Sequence, residues 1–62
     1  MSKWVLIRGR YFNTDQIVAF EWDKEMYSLR MMLPDGSEVL VEDFLKKWYG
    51  ILCRAVGVAF NL

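Results

Sequence analysis

Short apolar runs separated by polar residues occupy the first two thirds of the chain, the pattern of strands joined by turns. Residues 4–7 combine aromatic and branched apolar side chains, which predicts a strand. Gly9 marks either a turn or a bulge in that strand, with Tyr11 and Phe12 as its continuation. Residues 13–16 contain asparagine, threonine and aspartate, which predicts a turn.

Two further strands and a hairpin are predicted in the middle of the chain. Residues 17–22 and 26–33 read as half-buried strands with a polar connection between them. Pro34-Asp35-Gly36 follows, in which proline presets the first turn position and glycine adopts the left-handed one. This turn predicts a hairpin onto residues 37–41, with the two valines of that strand facing inward and Glu38 facing outward.

Apolar residues then recur about every 3.6 residues instead of every second residue, which predicts a helix over residues 44–56. Glu42 and Asp43 are expected to open it, because acidic side chains are favoured at a helix N-terminus. Each also stands four residues before a lysine, the favourable order for an ion pair on a helix. The apolar side of this pattern continues past Gly50, and Gly57 is the expected C-terminal cap.

These elements predict an α+β fold in one domain spanning residues 1–62: an antiparallel meander of three to four strands, followed by one C-terminal helix packed on the sheet. A chain of this length buries only about 60% of the surface that its unfolded form exposes. Since it has one cysteine and no histidine, neither an internal disulfide nor a structural zinc site can stabilise it. Oligomerisation is the remaining means of stabilisation.

The predicted helix has an apolar arc roughly 200° wide, about twice what one core-facing surface needs. We therefore expect a homo-oligomer, most simply a dimer, that uses the helix and the residues after it. The alternative is a monomer in which strands cover the helix from two sides. The residues expected at the subunit contact are Phe44, Leu45, Trp48, Tyr49, Leu52, Val56 and Phe60.

The composition also limits the chemistry of the chain. Without histidine, triad, histidine-base and histidine-ligated metal chemistry are excluded, and the carboxylates show no calcium-loop spacing. We therefore expect no enzyme activity, no cofactor and no metal. Cys53 is expected to be a small apolar residue within the helix.

A hydrophobic content of 55% with zero net charge is the reverse of a disordered composition. No apolar run approaches the length of a membrane span, so we expect no membrane partner, and the unpaired cysteine favours the cytoplasm. By exclusion, the expected function is that of a small regulator, adaptor or inhibitor that acts through contacts with a protein partner. The outer face of the sheet and the charged ends of the chain are expected to meet that partner.

A second class of function is predicted by a basic and aromatic segment near the start of the chain. Single-stranded nucleic acid is bound by aromatic rings that stack on bases and by cations that meet phosphates. The alternative is a strand whose aromatic side chains lie in the core and whose arginines pair with the acidic segment 11–45. The residues expected at a nucleic-acid contact are Lys3, Trp4, Arg8, Arg10 and Tyr11.

Residues 11–43 also resemble the small flagellar FlbD-type proteins. The matching features are an aromatic-Asn turn, an isoleucine that precedes a strand, a Gly-containing hairpin and a Val-x-Glu segment at the start of a helix. The resemblance implies a small regulatory or accessory protein without catalysis. The positions that carry it are Tyr11, Phe12, Asn13, Asp15, Ile17, Glu21, Asp35, Gly36 and residues 39–42.

Overall fold

The computed structural model describes residues 3–59 and confirms an α+β fold, with antiparallel strands in two sheets and one C-terminal helix. The elements are β1 (Trp4–Ile7), β2 (Arg10–Asn13), a 3-10 turn (Thr14–Gln16), β3 (Ala19–Asp23), β4 (Ser28–Met32), β5 (Glu38–Glu42) and α1 (Lys47–Val56). Strands β1 and β2 form a separate hairpin, and the predicted meander consists of strands β3, β4 and β5 in that order.

The first hairpin turns at Arg8 and Gly9, which decides the question between a turn and a bulge. Both residues have positive φ, 51° and 78°, as the central positions of a type I′ hairpin turn require. Ile7 is paired with Arg10 on the two sides of this turn, so the chain doubles back and a separate strand follows. The prediction that Tyr11 continues the first strand is therefore wrong.

The second predicted hairpin is confirmed. Gly36 has a φ of 89°, and its N–H donates to the carbonyl oxygen of Leu33 at 3.0 Å. The N–H of Leu33 donates in turn to the carbonyl of Ser37 at 2.9 Å, which closes the turn. Of the two valines of the last strand, Val41 is buried and Val39 is half-buried. Their inward orientation is as predicted.

The strand predicted to begin at residue 26 begins at Ser28 instead, because residues 24–27 form a turn. One carboxylate oxygen of Asp23 accepts hydrogen bonds from the N–H groups of Glu25 (2.9 Å) and Met26 (3.2 Å). Tyr27 then adopts a left-handed φ of 49°. These local hydrogen bonds compete with strand pairing and delay the start of the strand.

The helix begins at Lys47, three residues later than predicted, and the expected ion pairs on its first turn are wrong. Glu42 is the last residue of β5, and the chain then turns to Lys46, which has a left-handed φ of 59°. The predicted end is confirmed: Gly57 has a φ of 82°, and its N–H donates to the carbonyl of Cys53.

Both sheets and the helix share one apolar core. The hairpin contributes inward-facing side chains from both of its strands, the meander contributes side chains from β4 and β5, and the helix contributes one fully buried leucine. Strands from two sheets thus meet the helix within one chain, the arrangement considered as the alternative to a subunit contact. The core consists of Val5, Ile7, Phe12, Leu29, Met31, Val41 and Leu52.

Candidate interaction surfaces

The outer side of the β1–β2 hairpin carries three large exposed side chains, here called the hairpin face: Trp4, Leu6 and Tyr11. Side chains alternate between the two sides of a strand, and the intervening residues Val5 and Phe12 are buried in the core. Leu6 lies directly opposite Tyr11, and Trp4 is the diagonal neighbour of Tyr11. Their exposed fractions are 61% for Trp4, 45% for Leu6 and 67% for Tyr11. The result is a continuous apolar surface on paired strands.

Cations stand at both ends of the hairpin. Lys3, Arg8 and Arg10 are exposed, and residues 3–14 contain no carboxylate side chain. The guanidinium of Arg10 lies 5.0 Å from the centre of the Phe12 ring, and within residues 3–59 neither arginine forms an ion pair. The expectation that the aromatic side chains here lie in the core is therefore right for Phe12 but wrong for Trp4 and Tyr11.

The outer side of the meander is acidic and is called here the meander face. The pairing of β3, β4 and β5 places Glu21, Arg30 and Leu40 in one row, and Met32 beside Glu38 in the next. All of these side chains are exposed except that of Arg30, which is half-buried. The meander face consists of Glu21, Arg30, Met32, Glu38, Leu40 and Glu42.

The one cation of the meander face is neutralised within the chain. The Nη2 of Arg30 forms an ion pair with Oδ2 of Asp23, whose other carboxylate oxygen holds the 24–27 turn. The Nε of Arg30 is buried and has no hydrogen-bond partner among the described residues. Since Arg30 is already paired, the three glutamates determine the sign of this face.

A third surface lies where the turns before β4 and before the helix meet, and is called here the turn cluster: Met26, Tyr27, Phe44 and Leu45. The rings of Tyr27 and Phe44 stack with centres 5.5 Å apart, and the N–H of Asp43 donates to the carbonyl of Tyr27 at 2.8 Å. Phe44 is 61% exposed and Leu45 is 85% exposed. The turn cluster is therefore a second exposed apolar surface.

Asp43 organises the turn cluster and the start of the helix. Its carboxylate accepts hydrogen bonds from the N–H groups of Trp48 at 3.1 Å and Tyr49 at 2.8 Å. Its carbonyl oxygen accepts one from the indole Nε1 of Trp22 at 3.0 Å. Asp43 is only 4% exposed. Its carboxylate therefore takes the place of water as the acceptor for N–H groups that have no partner within the helix. Aspartate is a common capping residue, and the sequence pattern placed Asp43 at the helix start, but as an ion-pair partner of Lys47 rather than as a cap.

The structure separates the residues predicted at the subunit contact. Leu52 is fully buried in the core and has no surface to offer a partner in this conformation. Trp48 and Tyr49 are half-buried, while Val56 is exposed at the far end of the helix, about 15 Å from its start. Phe44 and Leu45 belong to the turn cluster rather than to the helix, and Phe60 lies outside the described residues.

The predicted nucleic-acid residues also fall on different parts of the hairpin. Trp4 and Tyr11 share its outer side, whereas Arg10 lies opposite the buried Ile7, with its guanidinium over a ring of the inner side. Arg8 occupies the turn. The aromatic side chains thus share one platform, whereas Arg10 faces the other side of the hairpin.

A groove of about 670 Å³ lies between the start of β3 and the helix. Val18, Tyr49 and Val56 contribute to its lining, and Thr14 and Asp15 are its polar residues. The pKa of Tyr49 is raised above its ordinary value of 10.0, mainly by burial and to a smaller extent by the neighbouring Cys53 thiol.

Elsewhere, the Asp35 carboxylate accepts hydrogen bonds from the hydroxyl and the N–H of Ser37. These bonds lower the pKa of Asp35, and the bond from the hydroxyl has the larger effect. Both residues belong to the exposed turn between β4 and β5, so this shift reflects local turn structure. Among residues 3–59, no three histidine, cysteine, aspartate or glutamate side chains are grouped closely enough to hold a metal ion. No helix in the same part of the chain has the length and apolar character needed to cross a bilayer.

Comparison with protein-family models, with curated proteins and with solved structures finds no match to this chain. The Val-x-Glu segment that resembles the start of a helix in FlbD-type proteins lies in strand β5 here. The resemblance therefore contributes no functional residue. The hairpin face, the meander face and the turn cluster are the remaining candidates for function.

Proposed function

We propose that this chain is a non-enzymatic interaction domain that self-associates through the hairpin face and acts on its targets by protein–protein contact. One observation carries the proposal: Trp4, Leu6 and Tyr11 lie side by side and exposed on paired strands. Tryptophan and tyrosine are the residue types that dominate binding energy at protein interfaces, where a few large side chains contribute most of the affinity.

The energy available at this surface is large for a small domain. Each exposed aromatic side chain buries on the order of 150 Å² or more in a contact, which at ~25 cal/mol per Å² is roughly 4 kcal/mol before the costs of association. Because Trp4 and Tyr11 stand on strands whose backbone is already hydrogen-bonded, little further ordering is needed. The helix offers less, since Leu52 is fully buried.

The proposal includes action in the cytoplasm as a regulator, adaptor or inhibitor. It is supported by the reduced, buried thiol of Cys53, the only cysteine of the chain. A fold stabilised by a shared apolar core and turns, with no disulfide, is suited to a reducing compartment.

The test compares oligomeric state between two double variants. Trp4→Thr with Tyr11→Thr removes the aromatic part of the hairpin face but keeps residues that favour strands. Phe44→Ser with Leu45→Ser removes the most exposed part of the turn cluster and serves as the matched control. Circular dichroism melts establish that both variants fold.

The proposal expects that size-exclusion chromatography with light scattering shows loss of the oligomer in the hairpin variant only. Loss of the oligomer in the turn-cluster variant alone would move the contact to that surface, two residues of which were predicted from the sequence. An unmodified chain that is a monomer at every concentration would overturn self-association itself.

A second candidate function is binding of single-stranded nucleic acid, and one observation favours it. The hairpin combines two exposed aromatic side chains with three exposed cations and no carboxylate. A labelled oligonucleotide would then bind with steep salt dependence, because phosphate contacts release counterions. Replacing Arg8 and Arg10 by alanine would weaken that binding and leave the melting temperature little changed. Absence of binding at low salt would dismiss this candidate.

A further inference from the structure

We infer that the surface that receives the hairpin face is the meander face of a second copy of this chain. The inference rests on the proposed function and names the partner surface that the proposed function leaves open. It is carried by the complementary charge of two exposed faces that the same chain presents on different sheets.

The two faces have opposite charge. Lys3 stands at one end of the hairpin face and Arg8 at the other, and no carboxylate side chain lies within residues 3–14. The meander face carries three exposed glutamates, and its one arginine is already paired with Asp23. Although the net charge of the chain is zero, the hairpin is therefore basic and the meander face acidic, and these two surfaces attract each other between copies.

The two faces also match in their apolar parts. Leu40 and Met32 are exposed on the meander face, at 48% and 39%, with Glu38 and Glu42 beside them. Trp4 and Tyr11 project from the hairpin, with Lys3 at one end and Arg8 at the other. An apolar centre with a charged edge on both sides is the ordinary composition of a protein interface. Paired strands on both sides allow face-to-face packing, as between the sheets of a sandwich.

The contact joins two different surfaces, which determines how copies assemble. When one hairpin face engages one meander face, the pair keeps one free face of each kind, so association continues from copy to copy into a ring or an open chain. The hairpin spans only roughly 13 Å by 10 Å, so each contact is small and association depends on concentration. We therefore expect masses above that of a dimer at high concentration, and weaker association at high salt.

A charge-swap experiment tests the inference. One variant, Lys3→Glu with Arg8→Glu, reverses charge beside the hairpin face and leaves the contact of Arg10 with Phe12 in place. The other, Glu21→Lys with Glu38→Lys, reverses charge on the meander face and leaves the pair of Arg30 with Asp23 in place. Lys24→Glu with Arg54→Glu is the matched control for the hairpin variant, because it makes the same charge change at residues outside both faces.

The inference expects each variant alone to remain at the 7.4 kDa monomer mass at concentrations where the unmodified chain associates. The equimolar mixture of the two is expected to associate again, because the acidic hairpin of one variant then meets the basic meander face of the other. The control variant, Lys24→Glu with Arg54→Glu, is expected to associate like the unmodified chain. Recovery in the mixture also shows that each variant is folded.

Three outcomes would overturn the inference. If both variants associate alone as well as the unmodified chain does, the inference fails while the proposed function stands. If only the hairpin variant is a monomer and mixing restores nothing, the hairpin face contacts some other surface. If the unmodified chain never associates, both the inference and self-association fail, and binding of an oligonucleotide by the hairpin would then assign that face to nucleic acid.

Discussion

Removal of the Asp43 carboxylate is expected to destabilise the chain more than any nearby charge change. In Asp43→Ala, the N–H groups of Trp48 and Tyr49 lose their acceptor at a site where the replaced side chain was only 4% exposed. The first turn of the helix then has buried donors without partners. The backbone N–H and carbonyl of residue 43 still bond Tyr27 and Trp22 in this variant, because the substitution removes only the side chain.

The magnitude follows from these two bonds. Loss of a helix cap costs about 0.5–2 kcal/mol, and a hydrogen bond to a charged group contributes about 1.5–3 kcal/mol. Because the two bonds share one carboxylate and water partly replaces it, we expect a loss of about 3 kcal/mol. A chain of this length has a total stability of roughly 3–9 kcal/mol. The melting temperature is therefore expected to fall by roughly 12–24 °C, and Asp43→Asn, which keeps one acceptor oxygen, by about half as much.

Thermal and urea unfolding followed by circular dichroism measure this effect, with Glu42→Ala as the matched control. Glu42 is the exposed last residue of β5, so its replacement is expected to change stability by less than about 0.5 kcal/mol. If the helix began at residue 42, both acidic residues would contribute to its first turn. Equal, small effects of the two substitutions would therefore refute the reasoning from Asp43 as a buried cap.

Three further predictions concern other turns and the pH dependence of stability. Asp23→Ala is expected to cost about 1–3 kcal/mol in urea unfolding, because Arg30 loses its partner and the 24–27 turn loses its acceptor; an effect below 0.5 kcal/mol would contradict this. Gly57→Ala is expected to cost about 1 kcal/mol from positive φ alone, since nothing lies within 4 Å of an added Cβ, and an unchanged melting temperature would be the contrary result. Because the pKa of Tyr49 is raised when the chain is folded, the unfolded chain loses this proton first as pH rises above 10.0, and stability falls there. Tyr49→Phe is expected to reduce that fall, and identical pH profiles for the two proteins would contradict it.

The local parts of this fold were predictable from the sequence, because each is determined by neighbouring residues. The Pro34 turn, the first strand and the helix end at Gly57 all have the predicted form. The start of the helix was not predictable in the same way. Phe44 and Leu45 continue the helical spacing of apolar residues, yet the carboxylate of Asp43 caps the helix from outside and the backbone turns before Lys47.

The candidate surface depended on information that local patterns do not contain. Alternation puts Trp4 and Leu6 on one side of a strand, but which side meets the core depends on where the hairpin packs. The residues between them supply the core, and the larger aromatic side chain of Trp4 is exposed instead. Similarly, the wide apolar arc of the helix fits either a subunit contact or strands that cover the helix from two sides, and the helical pattern alone does not decide between them.

The most direct test of self-association is the molar mass of the unmodified chain in solution, measured by light scattering from low to high micromolar protein. The account predicts a mass that begins near 7.4 kDa, rises with concentration to more than twice that value, and rises less at high salt. A mass that stays at 7.4 kDa throughout would contradict the account.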